Sequence, residues 1–206
     1  MYFSSFNYIT LFVQQSGDDI TETLTYLGNI HHSRGEFELA LHYHQQALEI
    51  RQAIPSAESN ALATSLLGLA NVHWALHQHS KAIAAAEQAL AIRESLKPIN
   101  ETSIAEILAL LGNIYHDFGD INQAIGLCSK ALLLFERNVS DTSSNLAELL
   151  YNLGTIYSTA KDFTNAKENF ERSIRIYRKI LPKGHQDRVA AEDALRRTIK
   201  QSSIQQ

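Results

Sequence analysis

One short pattern recurs four times in the sequence at intervals of 42 residues, without insertion or deletion. Its first copy is Leu27-Gly28-Asn29, followed by Ala40 and Ala47. A fixed period of this size in a helix-forming sequence indicates a solenoid array of repeated helix pairs. Each unit of such an array contacts mainly its neighbours, so one elongated core is expected instead of separate globular domains. The later copies are Leu69, Ala70, Asn71, Ala82 and Ala89; Leu111, Gly112, Asn113, Ala124 and Ala131; and Leu153, Gly154, Thr155, Ala166 and Ser173.

The same period assigns residues 1–206 to a single predicted array. Residues 1–15 repeat the small and large positions found at the end of repeat 1, which indicates a remnant helix of a preceding repeat; a disordered terminus is the alternative. Arg196 and Arg197 occupy the later glycine and asparagine positions, where charge would prevent another helix from packing. Residues 185–201 are therefore predicted to form a C-terminal capping helix. The complete predicted repeats are residues 20–58, 59–100, 101–142 and 143–184.

Each repeat contains two predicted helices joined by a tight turn. Gly35 and Gly119 are predicted to end the first helices of repeats 1 and 3, because glycine tolerates the left-handed conformation at a helix C-terminus. His77 takes this position in repeat 2, where the left-handed conformation would be strained. Ser103 and Glu106 are predicted to form a capping box at the start of repeat 3.

Composition and charge exclude several classes of protein. The net charge of −4 argues against nucleic acid binding, which requires a basic surface. No apolar run is long enough to span a membrane, and residues 3–13 lack the basic flank and cleavage site of a signal peptide. Cys128 is the single cysteine, so no disulfide can form within the chain, which fits a reducing compartment. We therefore predict a cytoplasmic protein with no membrane span and no nucleic acid partner.

The histidines and the cysteine do not predict a chemical site. His44 and Cys128 share one position of the period, where the other repeats carry alanine and phenylalanine, so both are expected in the core. No carboxylate or second cysteine completes a four-ligand zinc cluster with the histidines. Phosphate-binding glycine loops, nucleophile elbows and catalytic carboxylate pairs do not occur in the sequence. We therefore predict no metal, no cofactor and no catalytic residue, and hence no enzyme.

The pattern of residues 24–47 resembles the tetratricopeptide repeat (TPR). A second clear copy begins Leu111-Gly112-x-x-Tyr115. The 42-residue period is similar to that of kinesin light chains and Pins-type adaptors, and residues 176–190 resemble the inter-repeat segment of kinesin light chains. The resemblance implies an all-α, right-handed superhelical α-solenoid of antiparallel helix pairs, each a helix-turn-helix unit. It also implies a scaffold or adaptor that binds proteins, although the fold alone does not fix the partner.

In arrays of this type, the first helix of each repeat lines a concave groove. The asparagines of the recurring pattern occupy one groove position, and in Pins-type adaptors the matching asparagine contacts the ligand. An amide side chain donates and accepts hydrogen bonds, so a column of them suits an extended peptide; the alternative is that they merely share a repeat consensus. The predicted ligand-binding residues are Asn29, His32, Asn71, Trp74, Asn113, His116, Tyr151 and Asn152.

The charge of the first helices predicts the class of ligand. They carry no lysine or arginine, so the clamp that holds a ligand carboxylate in other arrays is absent. Glu22, Glu106, Asp117 and Glu148 lie there instead. We therefore predict a neutral or basic peptide segment, with an apolar side chain placed against Trp74 and Tyr151.

A second functional interpretation concerns the N-terminus. Phe3, Phe6 and Phe12 give the remnant helix an apolar face without a predicted neighbour, and such a face favours association. The alternative function is thus a regulatory or self-association array that packs on another domain or chain, with a possible homodimer through the N-terminal helix.

Overall fold

The computed structural model describes residues 19–53, 59–138 and 142–204. All regular secondary structure in these ranges is α-helical, and no strand occurs among them. The predicted remnant helix and the predicted dimer contact fall on residues 1–15, which lie outside the described part. The helices are α1 (residues 19–33), α2 (Phe37–Ala53), α3 (Ser59–Ala75), α4 (His79–Ser95), α5 (Glu101–Phe118), α6 (Ile121–Asn138), α7 (Ser144–Thr159), α8 (Phe163–Ile180) and α9 (Gln186–Ile204).

The helices belong to two compact units, with Met1–Ile99 in unit 1 and Asn100–Gln206 in unit 2. In unit 1, α3 packs against both α2 and α4. In unit 2, α5 pairs with α6 and α7 with α8, and α9 packs on α8. The short turn inside each pair makes its two helices antiparallel. The first helices α5, α7 and α9 are neighbours in order. That both units form one continuous superhelix remains a prediction.

Small residues allow the two helices of each pair to approach closely. The alanines of the recurring pattern, Ala40, Ala82, Ala124 and Ala166, are fully buried, as predicted. At Gly154, an added methyl group would lie 2.7 Å from the Phe170 ring. At Gly154 the Phe170 ring can therefore approach this closely only because the residue lacks a side chain. Equivalent pairs are Gly28 with His44 and Gly112 with Cys128.

The turn between the two helices of each pair uses the same left-handed position in all four pairs. Gly35 has a φ of 75° and Gly119 a φ of 95°. His77 and Lys161 adopt φ values of 56° and 62° at the equivalent positions. The predicted strain at His77 is therefore present, and Lys161 shares it, because a Cβ atom is disfavoured in this conformation.

Exchanging residues at this position tests the strain directly. We expect Lys161→Gly to raise the free energy of unfolding by about 1 kcal/mol, because glycine removes the left-handed penalty. Gly119→Ala is the matched reverse change and is expected to lower it by about the same amount, since no other atom lies within 4 Å of the added methyl group. Urea titration of both variants measures the effects; a destabilised Lys161→Gly would contradict them.

The residue that caps α5 differs from the one predicted. Asn100 caps α5 by accepting a hydrogen bond from the Ser103 backbone nitrogen at 3.0 Å. The predicted capping box of Ser103 and Glu106 is therefore wrong, because the helix already begins at Glu101. In the same way, Ser143 caps α7.

Candidate functional site

The predicted ligand-binding residues lie on the first helix of each pair. Asn29 is exposed on α1, whereas the other seven are half-buried. These seven are His32 on α1, Asn71 and Trp74 on α3, Asn113 and His116 on α5, and Tyr151 and Asn152 on α7.

Asn29 lines a cavity of about 410 Å³ in unit 1, which we call the Arg51 cavity. Arg51 reaches it from α2 and is 6% exposed. Its Nη1 donates hydrogen bonds to the Ala61 carbonyl at 2.9 Å and to Thr25 Oγ1 at 3.3 Å, as well as to the Ser65 hydroxyl. The guanidinium therefore fills the base of the cavity with a charge from the chain itself.

Tyr151 and Asn152 line a cavity of about 270 Å³ in unit 2, which we call the Tyr177 cavity. Tyr177 enters it from α8 and is 5% exposed. Burial, followed by the charges of Glu148 and Asp187, raises the pKa of Tyr177 above its usual range, so the phenol stays neutral. Burial, and then the charge of Asp187, also raises the pKa of Glu148. Both shifts arise from burial first and from the neighbouring carboxylates second, although Glu148 and Asp187 themselves are exposed residues.

Tyr151 also borders a cavity of about 520 Å³ between α7 and α9, the terminal cavity. Phe163 and Phe170 supply aromatic surface, while Lys161 and Arg197 bring two positive charges. Arg197 occupies the position of the recurring asparagines. The first-helix face is thus free of cations along α7 but basic where it meets α9.

Five predicted residues do not line these three cavities. The His32 ring packs edge-on against Phe37 with centroids 5.5 Å apart. His116 Nε2 lies 3.0 Å from Thr159 Oγ1, a contact that joins α5 to α7. The remaining three, Asn71, Trp74 and Asn113, are half-buried side chains on α3 and α5.

The sequence of the first helices does not predict the positively charged side chains found in the cavities. Arg51 comes from a second helix, Lys161 from a turn and Arg197 from the last helix. The periodic sequence does contain a signal for the first of them, since Arg93 follows Arg51 by one period. Arg93 also turns towards the first helix of its pair, where its Nη2 donates to Thr64 Oγ1 at 3.1 Å.

Comparison with protein-family models finds the tetratricopeptide repeat over residues 19–95 and 103–179. The chain belongs to the tetratricopeptide repeat family. Comparison with curated protein sequences finds no match. Among solved structures, BtubC (BKLC) from P. vanneervenii is similar, with a TM-score of 0.79 and 21% identity over 97% of this chain and 82% of that one.

A second similar structure is the putative kinesin light chain of Podosopora anserina with nearly identical TPR-like repeats. It matches with a TM-score of 0.73 and 19% identity, over 88% of this chain and 86% of that one. The predicted resemblance to kinesin light chain repeats is therefore confirmed, and so is the TPR-like, all-α fold class. At these identities the likeness shows the fold alone.

The tetratricopeptide repeat also accounts for the buried histidine and cysteine. His44 and Cys128 pack against Gly28 and Gly112 at the glycine position, as the core prediction expects. Burial raises the pKa of Cys128 to about 12, which keeps its thiol protonated.

In the described part of the chain, histidine, cysteine and carboxylate side chains form no group of three that could hold a metal ion. None of the described helices has both the length and the apolar character of a membrane span.

Proposed function

We propose that this chain is a scaffold whose first-helix face binds a neutral or basic peptide segment. Tetratricopeptide repeats serve generally as protein-interaction scaffolds, so a protein partner follows from the family. One observation carries the finer proposal. In each unit a cavity on this face combines a rim glutamate, Glu22 or Glu148, with an asparagine, Asn29 or Asn152.

The asparagines suit the backbone of an extended ligand. Asn29 is exposed and Asn152 half-buried, so each amide is accessible for both donating and accepting a hydrogen bond. Tyr151 and Trp74 provide half-buried aromatic surface of the kind that anchors apolar side chains. Each unit therefore offers hydrogen bonds to a ligand backbone and apolar contacts to its side chains.

Charge sets the direction in which the ligand lies. The carboxylate of Glu148 favours a basic residue near the Tyr177 cavity, whereas Arg51 already supplies a positive charge to the cavity that Glu22 lines. Lys161 and Arg197 disfavour a basic residue in the terminal cavity. We therefore place the basic part of the ligand along α7 and its neutral part towards Lys161 and Arg197 in the terminal cavity. The proposal assigns the chain a cytoplasmic location, a binding role and no catalytic residue.

A peptide array tests this proposal. Asn71→Ala and Asn152→Ala are expected to weaken the best-binding neutral or basic peptides by about 3- to 10-fold, because each removes a side chain that hydrogen-bonds the ligand backbone. Asn122→Ala, an exposed asparagine on the second helix α6, is the matched control and should bind as the wild type does. Wild-type affinity in all three variants would contradict the placement of the ligand.

Light scattering tests the alternative of self-association. A monomer that binds peptides supports the scaffold proposal. A stable dimer that is lost when residues 1–14 are deleted would favour the alternative instead.

A further inference from the structure

The Arg51 and Tyr177 cavities are the same place in two repeats. Tyr177 follows Arg51 by three periods of 42 residues, and Glu148 follows Glu22 by the same interval. Asp187 likewise corresponds to Ala61, whose carbonyl accepts a hydrogen bond from Arg51. Unit 1 thus places its own guanidinium in this cavity. Unit 2 lacks that guanidinium and adds a second carboxylate to the wall.

Among the residues that the structure describes, no arginine or lysine forms an ion pair with the acidic side chains of the Tyr177 cavity. No ion pair joins Glu148 to a cation anywhere in the described part of the chain. Two arginines on α8 and α9 pair with Glu192 instead, since Arg178 Nη2 and Arg188 Nε both lie 3.3 Å from Glu192 Oε1. Asp187 Oδ2 lies 3.6 Å from Nδ1 of the His185 ring.

The Tyr177 hydroxyl is a further polar group in the wall of this cavity. The side chain is 95% buried and lines the cavity, yet its hydroxyl makes no hydrogen bond to another described residue. The hydroxyl oxygen is not among the fully buried polar atoms that lack a partner, so solvent in the cavity reaches it, which leaves it open to a ligand. Its electrostatic neighbours are Glu148, Asp187 and Tyr151, all residues of the cavity wall. The hydroxyl therefore adds an unused hydrogen-bonding group beside two carboxylates.

We propose that the Tyr177 cavity binds the guanidinium group of an arginine side chain carried by the peptide partner; this inference rests on the proposed function. A guanidinium presents five donors in a planar fork, which can reach Glu148, Asp187 and the Tyr177 oxygen together. Its flat face can stack on the Tyr151 ring. Lysine offers a compact ammonium group without this fork, so it is expected to bind more weakly. The bound arginine takes the role that Arg51 plays in unit 1.

Titration of the full chain with N-acetyl-arginine amide, followed by nuclear magnetic resonance, tests the cavity without a peptide. We expect saturable shifts at Glu148, Tyr177 and Asp187, with a dissociation constant of about 1–10 mM. N-acetyl-citrulline amide has nearly the same shape but no charge and should give no saturation. Equal binding of the two compounds, or no saturable shift at these residues, would overturn the inference.

Charge-removing variants identify the carboxylates. Glu148→Gln and Asp187→Asn are each expected to weaken arginine amide binding by about 10-fold, because each removes one charged acceptor. Both variants should stay folded, since either change relieves repulsion between two neighbouring carboxylates. Glu168→Gln, an exposed position on α8, is the control for net charge and should bind as the wild type does. Wild-type binding by both cavity variants would refute the assignment.

The peptide array separates this inference from the proposed function. If the array peptides that bind contain no arginine, and if Glu148→Gln does not change their affinity, the arginine site is refuted and the scaffold proposal stands. A chain that binds arginine amide in the cavity but no array peptide would refute the scaffold proposal and leave a cation site. Binding that requires both an arginine and Glu148 supports both.

Discussion

Gly112→Ala is expected to lower the free energy of unfolding by about 1–3 kcal/mol relative to the same change at Gly126, because it overpacks the contact between α5 and α6. The added methyl group would overlap Cys128 Sγ, and it would lie 3.3 Å from the Ala124 carbonyl oxygen. Cys128 is fully buried, so it has no solvent-filled space to move into. Thermal and urea unfolding of both variants measures the difference.

Gly126 is the matched control for this comparison. It lies inside the helix α6, it is exposed, and no atom lies within 4 Å of an added methyl group. Gly126→Ala should therefore raise stability by up to about 1 kcal/mol through helix propensity alone. If the two glycine variants changed stability equally, close packing at Gly112 would be disproved.

Repeat 2 suggests how to rescue the overpacked variant. Ala70 and Ala86, both fully buried, occupy the positions of Gly112 and Cys128 one period earlier. The double variant Gly112→Ala with Cys128→Ala copies this pair. We expect it to be more stable than the sum of the two single effects predicts, which is the signature of residues in direct contact. Additive effects would show that the two positions do not contact each other.

Acidification is expected to destabilise unit 1 through His44. Burial, and then the charges of His32 and Arg51, lowers the pKa of His44 to about 4 from a usual value of 6.5. The imidazole is 1% exposed, and its Nδ1 has no hydrogen-bond partner in the described part of the chain. Protonation is therefore more favourable in the unfolded chain than in the folded one.

The sign and range of this effect follow from the two pKa values. The stability that His44 contributes is complete above pH 6.5 and is lost as the pH falls from 6.5 through about 4. The total loss is about 3 kcal/mol, because one pKa unit corresponds to about 1.4 kcal/mol. Urea titrations between these pH values measure it.

Substitution at His44 isolates its part of the acid sensitivity. His44→Phe copies Phe170, which fills the equivalent position in unit 2 against Gly154. This variant should lose most of the pH dependence that the wild type shows between the two pKa values. His42→Phe changes an exposed histidine on the same helix and is expected to keep the wild-type slope. An unchanged slope in His44→Phe would exclude His44 as the cause.

The packing of this chain was predictable because it is periodic. A position that reads glycine, alanine, glycine, glycine must lack bulk in every copy, and Gly28, Gly112 and Gly154 do face the second helix at close range. The burial of His44 and Cys128 followed from the same register, since each repeat constrains the others. Ser103 was misread because Asn100 and Ser103 are both capping residues, and only the backbone decides which one precedes the helix.

The cavities were less predictable because they combine residues from three helices. Asn29, Tyr151 and Asn152 were expected at a binding face, and the structure places them in cavity walls. The reach of Arg51 across to α1 and α3 depends on its side-chain conformation, which the period does not encode. Hydropathy does not predict the role of Tyr177 in a cavity wall. It assigns an aromatic residue on a second helix to the core, and it gives no information on whether the hydroxyl group has a hydrogen-bond partner.

Close helix packing and the character of the cavities depend on different positions within the 42-residue period. This affects how such a chain can diversify. A duplicated repeat inherits the glycine and alanine positions that make it stack. The residue at the position of the cavity base differs between copies, reading Arg51, Arg93, Phe135 and Tyr177, and in repeat 3 it is a fully buried core residue. Each module can therefore acquire its own ligand preference while the array stays assembled, so selection for a new partner need not compete with selection for a stable chain.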